Sequence, residues 1–274
     1  MTYGQVTKVS RWLLEHALPP LVFFAIVLSA WQAATMFWKI PVYLVPAPAR
    51  VLEAAQGHAS ELISATQLTA GGALCGFLLS LITGTVLGLI FSQSKIIQRS
   101  IYPYAIFLQT VPIVALAPLV INWFGTGFGS VVVVSFILSL FPIVTNATAG
   151  LTTVEPQLIE LFQIHNASRW QELLKLRLPN AVPSLVTGMK ISCGLSVIGA
   201  IVGEIFAGYG TQRYGLGYLI TLTTGKLETA YAFAAVLCST LLSVAIFVTV
   251  NLIGSSILAR WHVSEPGGSN TTSE

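Results

Sequence analysis

The stretch Thr152–Pro179, TTVEPQLIELFQIHNASRWQELLKLRLP, is a charged segment between two long apolar blocks. The whole chain has 13 basic and 10 acidic side chains, and six of them fall within these 28 positions. Almost everywhere else the sequence avoids charge. The pattern predicts a polar element carried on an apolar scaffold, and we refer to this stretch as the arm.

The composition of the rest of the chain is that of a membrane protein. Of its 274 residues 54% are hydrophobic and 8% are charged, whereas soluble domains contain about 25% charged residues. The mean hydropathy is +0.80. About 20 consecutive apolar residues are needed to cross a bilayer as a helix, and the long apolar blocks meet that length. The sequence therefore predicts an all-α integral membrane protein.

Several function classes are disfavoured by the same composition. The net charge of +3 is small and the basic residues form no stripe, which argues against nucleic-acid binding. Cys75, Cys193 and Cys238 lie within apolar blocks without paired spacing, which favours small buried hydrophobes over metal or redox roles. The chain has no aspartate, which disfavours carboxylate-rich metal sites and phosphoryl transfer. We expect no catalytic site and no metal site.

The apolar runs predict six transmembrane spans. The first follows Lys8 and Arg11 as a signal peptide would, but its length and the lack of a small-x-small cleavage site favour an uncleaved span. A proline-containing loop and a short helix from about Ala49 separate it from the second. The predicted spans are residues 18–38, 65–91, 100–123, 131–151, 184–207 and 231–258.

Charge predicts the orientation of these spans. Six crossings place both termini on one side, and nine Lys and Arg residues then share that side with the arm against four on the other. The positive-inside rule makes the richer side cytoplasmic. The expected organisation is a cytoplasmic segment 1–17, a membrane domain 18–260 with the arm as its cytoplasmic loop, and a disordered cytoplasmic tail 261–274. The nine are Lys8, Arg11, Lys95, Arg99, Arg169, Lys175, Arg177, Lys190 and Arg260, and the four are Lys39, Arg50, Arg213 and Lys226.

Glycines in the second span predict dense packing between helices. Gly72 and Gly76, and again Gly84 and Gly88, are four residues apart, so each pair shares a helix face and permits close approach of a neighbour. A later glycine-rich stretch, residues 207–230, is too polar and interrupted to span. We expect it at the outer surface, partly re-entrant.

The arm reads as two short helices that meet at Asn166. Thr152 and Glu155 have capping-box spacing and Pro156 suits a first turn, so the first helix should begin near Glu155. Asn166 is suited to a left-handed bend.

Ser168 and Gln171 repeat the capping-box spacing for the second helix, and Pro179 is expected to end it. Both helices carry apolar side chains, and such a hairpin either docks into a partner, packs against the chain's own membrane helices or lies on the membrane. Periodicity alone leaves these alternatives open. The apolar residues are Leu158, Leu161, Phe162, Trp170, Leu173 and Leu174.

The spacing of Glu160, Asn166 and the run Leu176-x-Leu178-Pro179 resembles the EAA motif of the membrane subunits of bacterial ABC importers. The flanking stretches VPIVALAPLVINWFGTG, VGEIFAGYG and YGLGYLI extend the resemblance to the permease group for nitrate, sulfonate, taurine and bicarbonate. That group also includes permeases for pyrimidine and vitamin precursors. The resemblance covers roughly residues 40–260. Leu161 and Phe162 depart from the motif by replacing its two alanines, and Asn166 replaces its glycine.

This resemblance implies an inner-membrane permease with six spans and a coupling hairpin between spans 4 and 5. The hairpin would sit in a groove of a cytoplasmic ATPase dimer, an extracytoplasmic binding protein would deliver the cargo, and two permease copies would form the pore. ATP and Mg would be used by the ATPase, because this chain has no GxxxxGK[ST] phosphate loop; no cofactor is expected on the chain, which is a transport subunit and not an enzyme. The coupling residues that it implies are Glu160, Leu161, Phe162, His165, Asn166, Ala167, Trp170, Leu176, Leu178 and Pro179.

Polar and proline positions within the spans give the candidate translocation residues. Prolines free backbone carbonyls, which are tolerated at membrane depth only against protein or a water-filled cavity. Kinked packing explains the same prolines equally well. The candidates are Gln109, Pro112, Pro118, Asn122 and Glu204.

Two ionisable residues of the fifth span have competing interpretations. An acid within a membrane span is a functional candidate, but Glu204 is better explained by a hydrogen bond to the glycine-rich stretch or to a partner helix. Lys190 is expected to extend toward the inner surface. The competing function is an ion- or proton-coupled secondary carrier that uses Glu204. For cargo, small anions of the sulfonate, nitrate or taurine type and uncharged pyrimidine or vitamin precursors are both compatible.

Overall fold

The structure is a computed structural model that describes residues 18–208 and 213–261. Every regular element in these two ranges is helical. The predicted cytoplasmic segment 1–17, and the predicted disordered tail beyond residue 261, lie outside the described residues. The helices are α1 (Leu18–Phe37), α2 (Pro48–Gly57), α3 (Ala59–Gln93), α4 (Lys95–Gln109), α5 (Ile113–Phe124), α6 (Phe128–Thr152), α7 (Pro156–Ile164), α8 (Arg169–Glu172), α9 (Leu178–Ala207), α10 (Leu216–Gly225) and α11 (Thr229–Trp261), with a π-helical turn at Leu173–Arg177 between α8 and α9.

Five helices in the described ranges are long and apolar enough to cross a membrane. They are Leu18–Phe37, Ala59–Gln93, Phe128–Thr152, Arg169–Ala207 and Thr229–Ala259. Each contains most or all of one predicted span, but four begin earlier than predicted. The helices are longer because an apolar run marks only the part of a helix that can lie in lipid, and polar residues continue the same helix beyond that part. The membrane class and the all-α fold are therefore confirmed.

The predicted third span is not one continuous helix. α4 ends at Gln109 and α5 begins at Ile113, because Pro112 has no backbone donor and disfavours helical backbone at the residue before it. Thr110 closes α4, its backbone N–H donating to the carbonyl of Phe107 at 3.0 Å. With 12 residues, α5 is about 18 Å long. It is too short to cross the roughly 30 Å hydrocarbon core alone.

The described chain divides into two compact units, one of which comprises residues 63–219 and 238–261. In this unit α6 packs between α3 and α9. A Cβ atom on Gly84 would lie 2.8 Å from Ile143 Cγ2, and one on Gly76 would lie 2.6 Å from Ser135 Cβ. The two glycine pairs of α3 thus face α6 at a separation that excludes side chains, which confirms the predicted close approach.

Buried serines join the same three helices through hydrogen bonds. The hydroxyl oxygens of Ser80 on α3 and Ser139 on α6 are 2.6 Å apart. Ser135 Oγ donates to the carbonyl of Ser196 on α9 at 2.9 Å, and Ser192 Oγ donates to the carbonyl of Ser139 at 2.7 Å. Small polar residues of this kind let backbones approach and still satisfy their own hydrogen bonds.

The other unit comprises residues 18–62 and 220–237 in the described ranges. Two contacts join its two segments: Thr229 Oγ1 donates to the carbonyl of Tyr43 at 2.8 Å, and the rings of His58 and Tyr231 stack at 4.1 Å.

The glycine-rich stretch 207–230 contains α10, a helix that the sequence analysis did not predict. Leu216 and Leu219 of α10 are almost fully buried, so burial rather than local pattern stabilises this helix.

Candidate functional site

The first helix of the arm begins where the sequence predicts, but its cap differs. Glu155 is the N-cap of α7, with no hydrogen bond from its side chain, and Pro156 is the first helical residue. Thr152 donates its hydroxyl to the carbonyl of Thr148 at 2.8 Å and belongs to the last turn of α6. The predicted Thr152–Glu155 capping box is therefore wrong, because the threonine hydroxyl is already used within α6.

The bend between the two arm helices is centred on Asn166. Its φ is 51°, which lies in the left-handed region that asparagine tolerates better than most side chains. The backbone N–H of Ala167 donates to the carbonyl of Phe162 at 3.0 Å and completes the turn. Ser168 and Gln171 then form the predicted capping box, in which each side chain bonds the other residue's backbone N–H. The left-handed bend and the second cap are confirmed.

Pro179 does not end the second helix, contrary to the prediction. Residues 169–207 form one continuous helix in which the π-helical turn lets the N–H of Leu178 donate to the carbonyl of Leu173, five residues back. Pro179 lies in the first turn of α9, where a proline is tolerated. The arm therefore passes directly into a membrane helix.

The apolar side chains of the arm fall into two groups. Leu173, together with Leu151 of α6 and Ala181 of α9, forms a buried cluster, and Leu176 is 9% exposed. A second group remains exposed: Leu158, Leu161, Ile164, Trp170 and Leu174, of which Ile164 and Trp170 are 75% and 72% exposed. Packing on the chain's own helices accounts for the first group only. The second group is an apolar surface on a polar arm.

A cavity of about 370 Å³, which we call the arm pocket, opens on this surface. No acidic side chain is among its lining residues. Of the predicted coupling residues, Leu161, Phe162, His165 and Ala167 meet here, while Glu160 and Asn166 are exposed outside it and Leu178 and Pro179 are half-buried. Sequence reasoning did not single out Gln171 and Lys175, which complete the lining.

The base of the arm is tied to α6 by two side chains that the sequence analysis also missed. Arg177 Nη1 donates to the carbonyl of Leu151 at 3.3 Å. Asn180 Nδ2 donates to the carbonyls of Gly150 at 3.1 Å and Thr153 at 2.8 Å. Their partners are backbone atoms about 27 residues away, so no local sequence pattern predicts these hydrogen bonds.

The candidate translocation residues are not brought together. Gln109 lines a cavity of about 210 Å³ with Phe141, Pro142 and other apolar residues. Pro112, Pro118 and Asn122 are exposed and do not line it. Glu204 lies at a separate cavity of about 250 Å³.

Glu204 of α9 is held by two other helices, α3 and α10. Its side chain is buried, and its Oε2 accepts hydrogen bonds from Thr69 Oγ1 of α3 and from the backbone N–H of Gly217 in α10, each at 2.9 Å. The N–H of Leu216 in turn donates to Thr69 Oγ1 at 2.9 Å. These contacts are those of the structural interpretation, a hydrogen bond to the glycine-rich stretch. Lys190, on the same helix, is half-buried.

Residues 76–260 match the family of binding-protein-dependent transport system inner membrane components. The chain belongs to this family. The match covers the close-packed helices, the arm and Glu204, and the chain is thus a multi-pass permease subunit of an ABC importer, as the EAA-like spacing of the arm implied.

Curated relatives extend over nearly the whole chain. The riboflavin transport system permease protein RibX of Chloroflexus aurantiacus is 34% identical over 94% of this chain and 98% of its own length. The formylaminopyrimidine transport permease protein ThiX of Halalkalibacterium halodurans is 32% identical over 90% of this chain and 96% of its own. Permeases named for aliphatic sulfonates, nitrate or taurine match at 25–28% identity.

Among solved structures, an inward-facing form of the MetNI methionine ABC transporter is similar in fold. It superposes with a TM-score of 0.61 over 75% of this chain and 98% of that chain, at 16% identity. The likeness shows a shared permease fold.

Proposed function

We propose that the arm docks on a cytoplasmic ATPase and that the chain, as a homodimer, forms the path of a small solute delivered by an extracytoplasmic binding protein. The observation that carries this proposal is the exposed apolar surface of the arm. Ile164, Trp170 and Leu174 are all more than half exposed on a capped hairpin that also carries the charged side chains of the arm. Covering such apolar surface with protein contributes roughly 25 cal/mol per Å².

The orientation in this proposal follows from charge. The sixth crossing, beyond those of α1, α3, α6, α9 and α11, is supplied by α4 and α5 as one broken span. The nine Lys and Arg residues predicted on the arm's side, against four on the other, then favour a cytoplasmic arm and cytoplasmic termini.

The arm pocket indicates the chemistry of the docked partner. Its lining combines the apolar Leu161 and Phe162 with the cation of Lys175, and no acid of this chain lines it. A partner side chain with an acidic group beside an apolar one complements that lining. Two bulky residues at the position of the motif's two alanines would make the pocket selective for an ATPase shaped to receive them.

Reversing the charge at the pocket tests this docking surface. In the Lys175→Glu variant we expect retention of the cognate ATPase by the immobilised permease to fall about tenfold, because like charges face each other across the contact. The matched control is Lys226→Glu, an exposed lysine at the end of α10 that is predicted on the opposite membrane face. Equal retention by the two variants would refute docking at the arm pocket.

We infer that the cargo is an uncharged nitrogen heterocycle. The relatives named for formylaminopyrimidine and riboflavin share 32% and 34% identity with this chain, against 25–28% for those named for anions. When uptake of a labelled pyrimidine is measured, an excess of the unlabelled pyrimidine should reduce it, whereas an excess of taurine or nitrate should not. Competition by the anions alone would contradict this cargo class.

The secondary-carrier alternative rests on Glu204 as a proton site. The hydrogen bonds from Thr69 and Gly217 already give this side chain a structural role, and the family is one of binding-protein-dependent systems. Both observations support ATP-driven import over a carrier.

A further inference from the structure

The last carbonyls of a helix have no donor within that helix and need partners from elsewhere. At the C-terminus of α6 these partners come from the far end of the arm. Arg177 donates to the carbonyl of Leu151, and Asn180, just beyond the arm, donates to the carbonyls of Gly150 and Thr153. The guanidinium also places a positive charge where the helix dipole is negative. We call these two side chains the base clamp.

Arg177 is fixed at its other side by Glu172. Its Nε donates to Glu172 Oε1 at 2.8 Å, and Nη2 lies 2.6 Å from the same oxygen. The two side chains are 24% and 18% exposed, so solvent screens this pair less than a surface pair. The ion pair spans the π-helical turn and orients the guanidinium toward Leu151.

The helices beneath the clamp are in direct contact. Leu151, Leu173 and Ala181 form the buried cluster, and a Cβ atom on Gly150 would lie 2.9 Å from Ala181 Cα. The chain leaves α6 at this junction and returns to it at α9. Between these two points, residues 153–155 are not helical and provide a place where the arm could bend relative to α6.

We propose that Arg177 and Asn180 are positioning residues that make the arm move as one body with α6 and α9. A displacement of the docked ATPase would then pass into the two membrane helices and would not be absorbed by bending at residues 153–155. This inference rests on the proposed docking function. It assigns a transmission role to two side chains that do not line the arm pocket.

The experiment compares ATP hydrolysis with cargo uptake in proteoliposomes that hold the complete complex with its ATPase and binding protein. In Arg177→Met, which keeps side-chain length but has no donor, and in Asn180→Ala, which removes two hydrogen bonds, we expect uptake to fall about tenfold, the scale of losing one charged hydrogen bond or two neutral ones. Hydrolysis stimulated by the binding protein is expected to stay within about twofold, and the ATPase to remain bound, since the docking surface is intact. The matched control is Arg169→Met, which removes an exposed arginine of the arm that makes no ion pair among the described residues.

Each other outcome counts against the inference. If uptake in Arg177→Met equals that in Arg169→Met, the clamp transmits nothing. If hydrolysis falls in parallel with uptake, or if the ATPase no longer co-purifies with the variant, Arg177 acts in docking or folding. Failure of the unsubstituted permease to retain any ATPase would instead contradict the proposed function itself.

A second variant separates the carbonyl contact from the ion pair. Glu172→Gln removes the charge but keeps an acceptor for the guanidinium, so Arg177 can still reach Leu151. We expect uptake within about threefold of the unsubstituted protein, which is the scale of a partly exposed ion pair. A tenfold loss in this variant would overturn the assignment of the Leu151 contact.

Discussion

Replacing Gly76 by alanine is expected to lower the free energy of unfolding by about 3 kcal/mol, the upper range for overpacking a helix contact. The added Cβ would overlap the Ser135 hydroxyl and lie 2.9 Å from the backbone nitrogen of Phe136. A rotation of the serine cannot relieve the backbone contact, so α3 and α6 must separate. Moving Ser135 also strains its bond to the carbonyl of Ser196, so the contact with α9 weakens as well.

Gly194→Ala is the matched control, since Gly194 is a helical glycine of α9 with no atom within 4 Å of its added Cβ. Alanine there should be neutral or stabilising by up to about 1 kcal/mol, through its higher helix propensity. The stability of both variants is measured by unfolding them in mixed detergent micelles and monitoring the loss of monodisperse protein. Equal stability of the two variants would contradict the close packing of α3 on α6.

The membrane helices could be predicted from the sequence because their signal is local. An apolar run of span length and glycines four residues apart are both legible in a single segment, and the structure has both. The ends of the helices were harder to predict from the sequence, because polar residues extend α3 and α9 beyond their apolar parts. The interruption between Gln109 and Ile113 was signalled by Pro112, but Pro103 and Pro118 lie inside helices. Proline alone therefore did not identify the break.

The arm shows the same division between local and distant causes. Asn166 and the Ser168–Gln171 box were predictable, because each depends on residues within one turn. Thr152 failed as a cap because its hydroxyl bonds within α6, and Pro179 failed as a stop because a π-helical turn precedes it.

Contacts between residues far apart in the sequence were the hardest to predict. Of the two donors to Glu204, Thr69 is 135 residues away, so the sequence could predict the bond to the glycine-rich stretch but did not identify Thr69. The same holds for the base clamp of Arg177 and Asn180. Four of the six residues that line the arm pocket were indicated by the motif resemblance, whereas Gln171 and Lys175 reach it only through the fold of the hairpin.

Distorting the bend of the arm is expected to abolish most transport. Valine at position 166 would be forced into the left-handed region at φ 51°, which costs about 1–2 kcal/mol, and the two arm helices would shift relative to one another. Glycine adopts this backbone without strain. Uptake should therefore fall about tenfold or more in Asn166→Val and stay near the unsubstituted level in Asn166→Gly.

Glu160 provides an independent change on the arm, outside the arm pocket. Its side chain is exposed on α7, as is that of Glu155 at the N-cap, so Glu155→Ala removes an equal charge from the same helix outside the assigned coupling residues. Glu160→Ala is expected to reduce uptake several-fold through loss of a contact with the ATPase, and Glu155→Ala is expected to leave it unchanged.

The most direct test of ATP-driven import is cargo uptake into vesicles that contain the permease, its cognate ATPase and the binding protein. We predict uptake only when ATP is supplied to the ATPase side, with the losses above in Asn166→Val and Glu160→Ala. Uptake driven by a proton gradient with the ATPase omitted, or full ATP-driven uptake in both variants, would contradict the account.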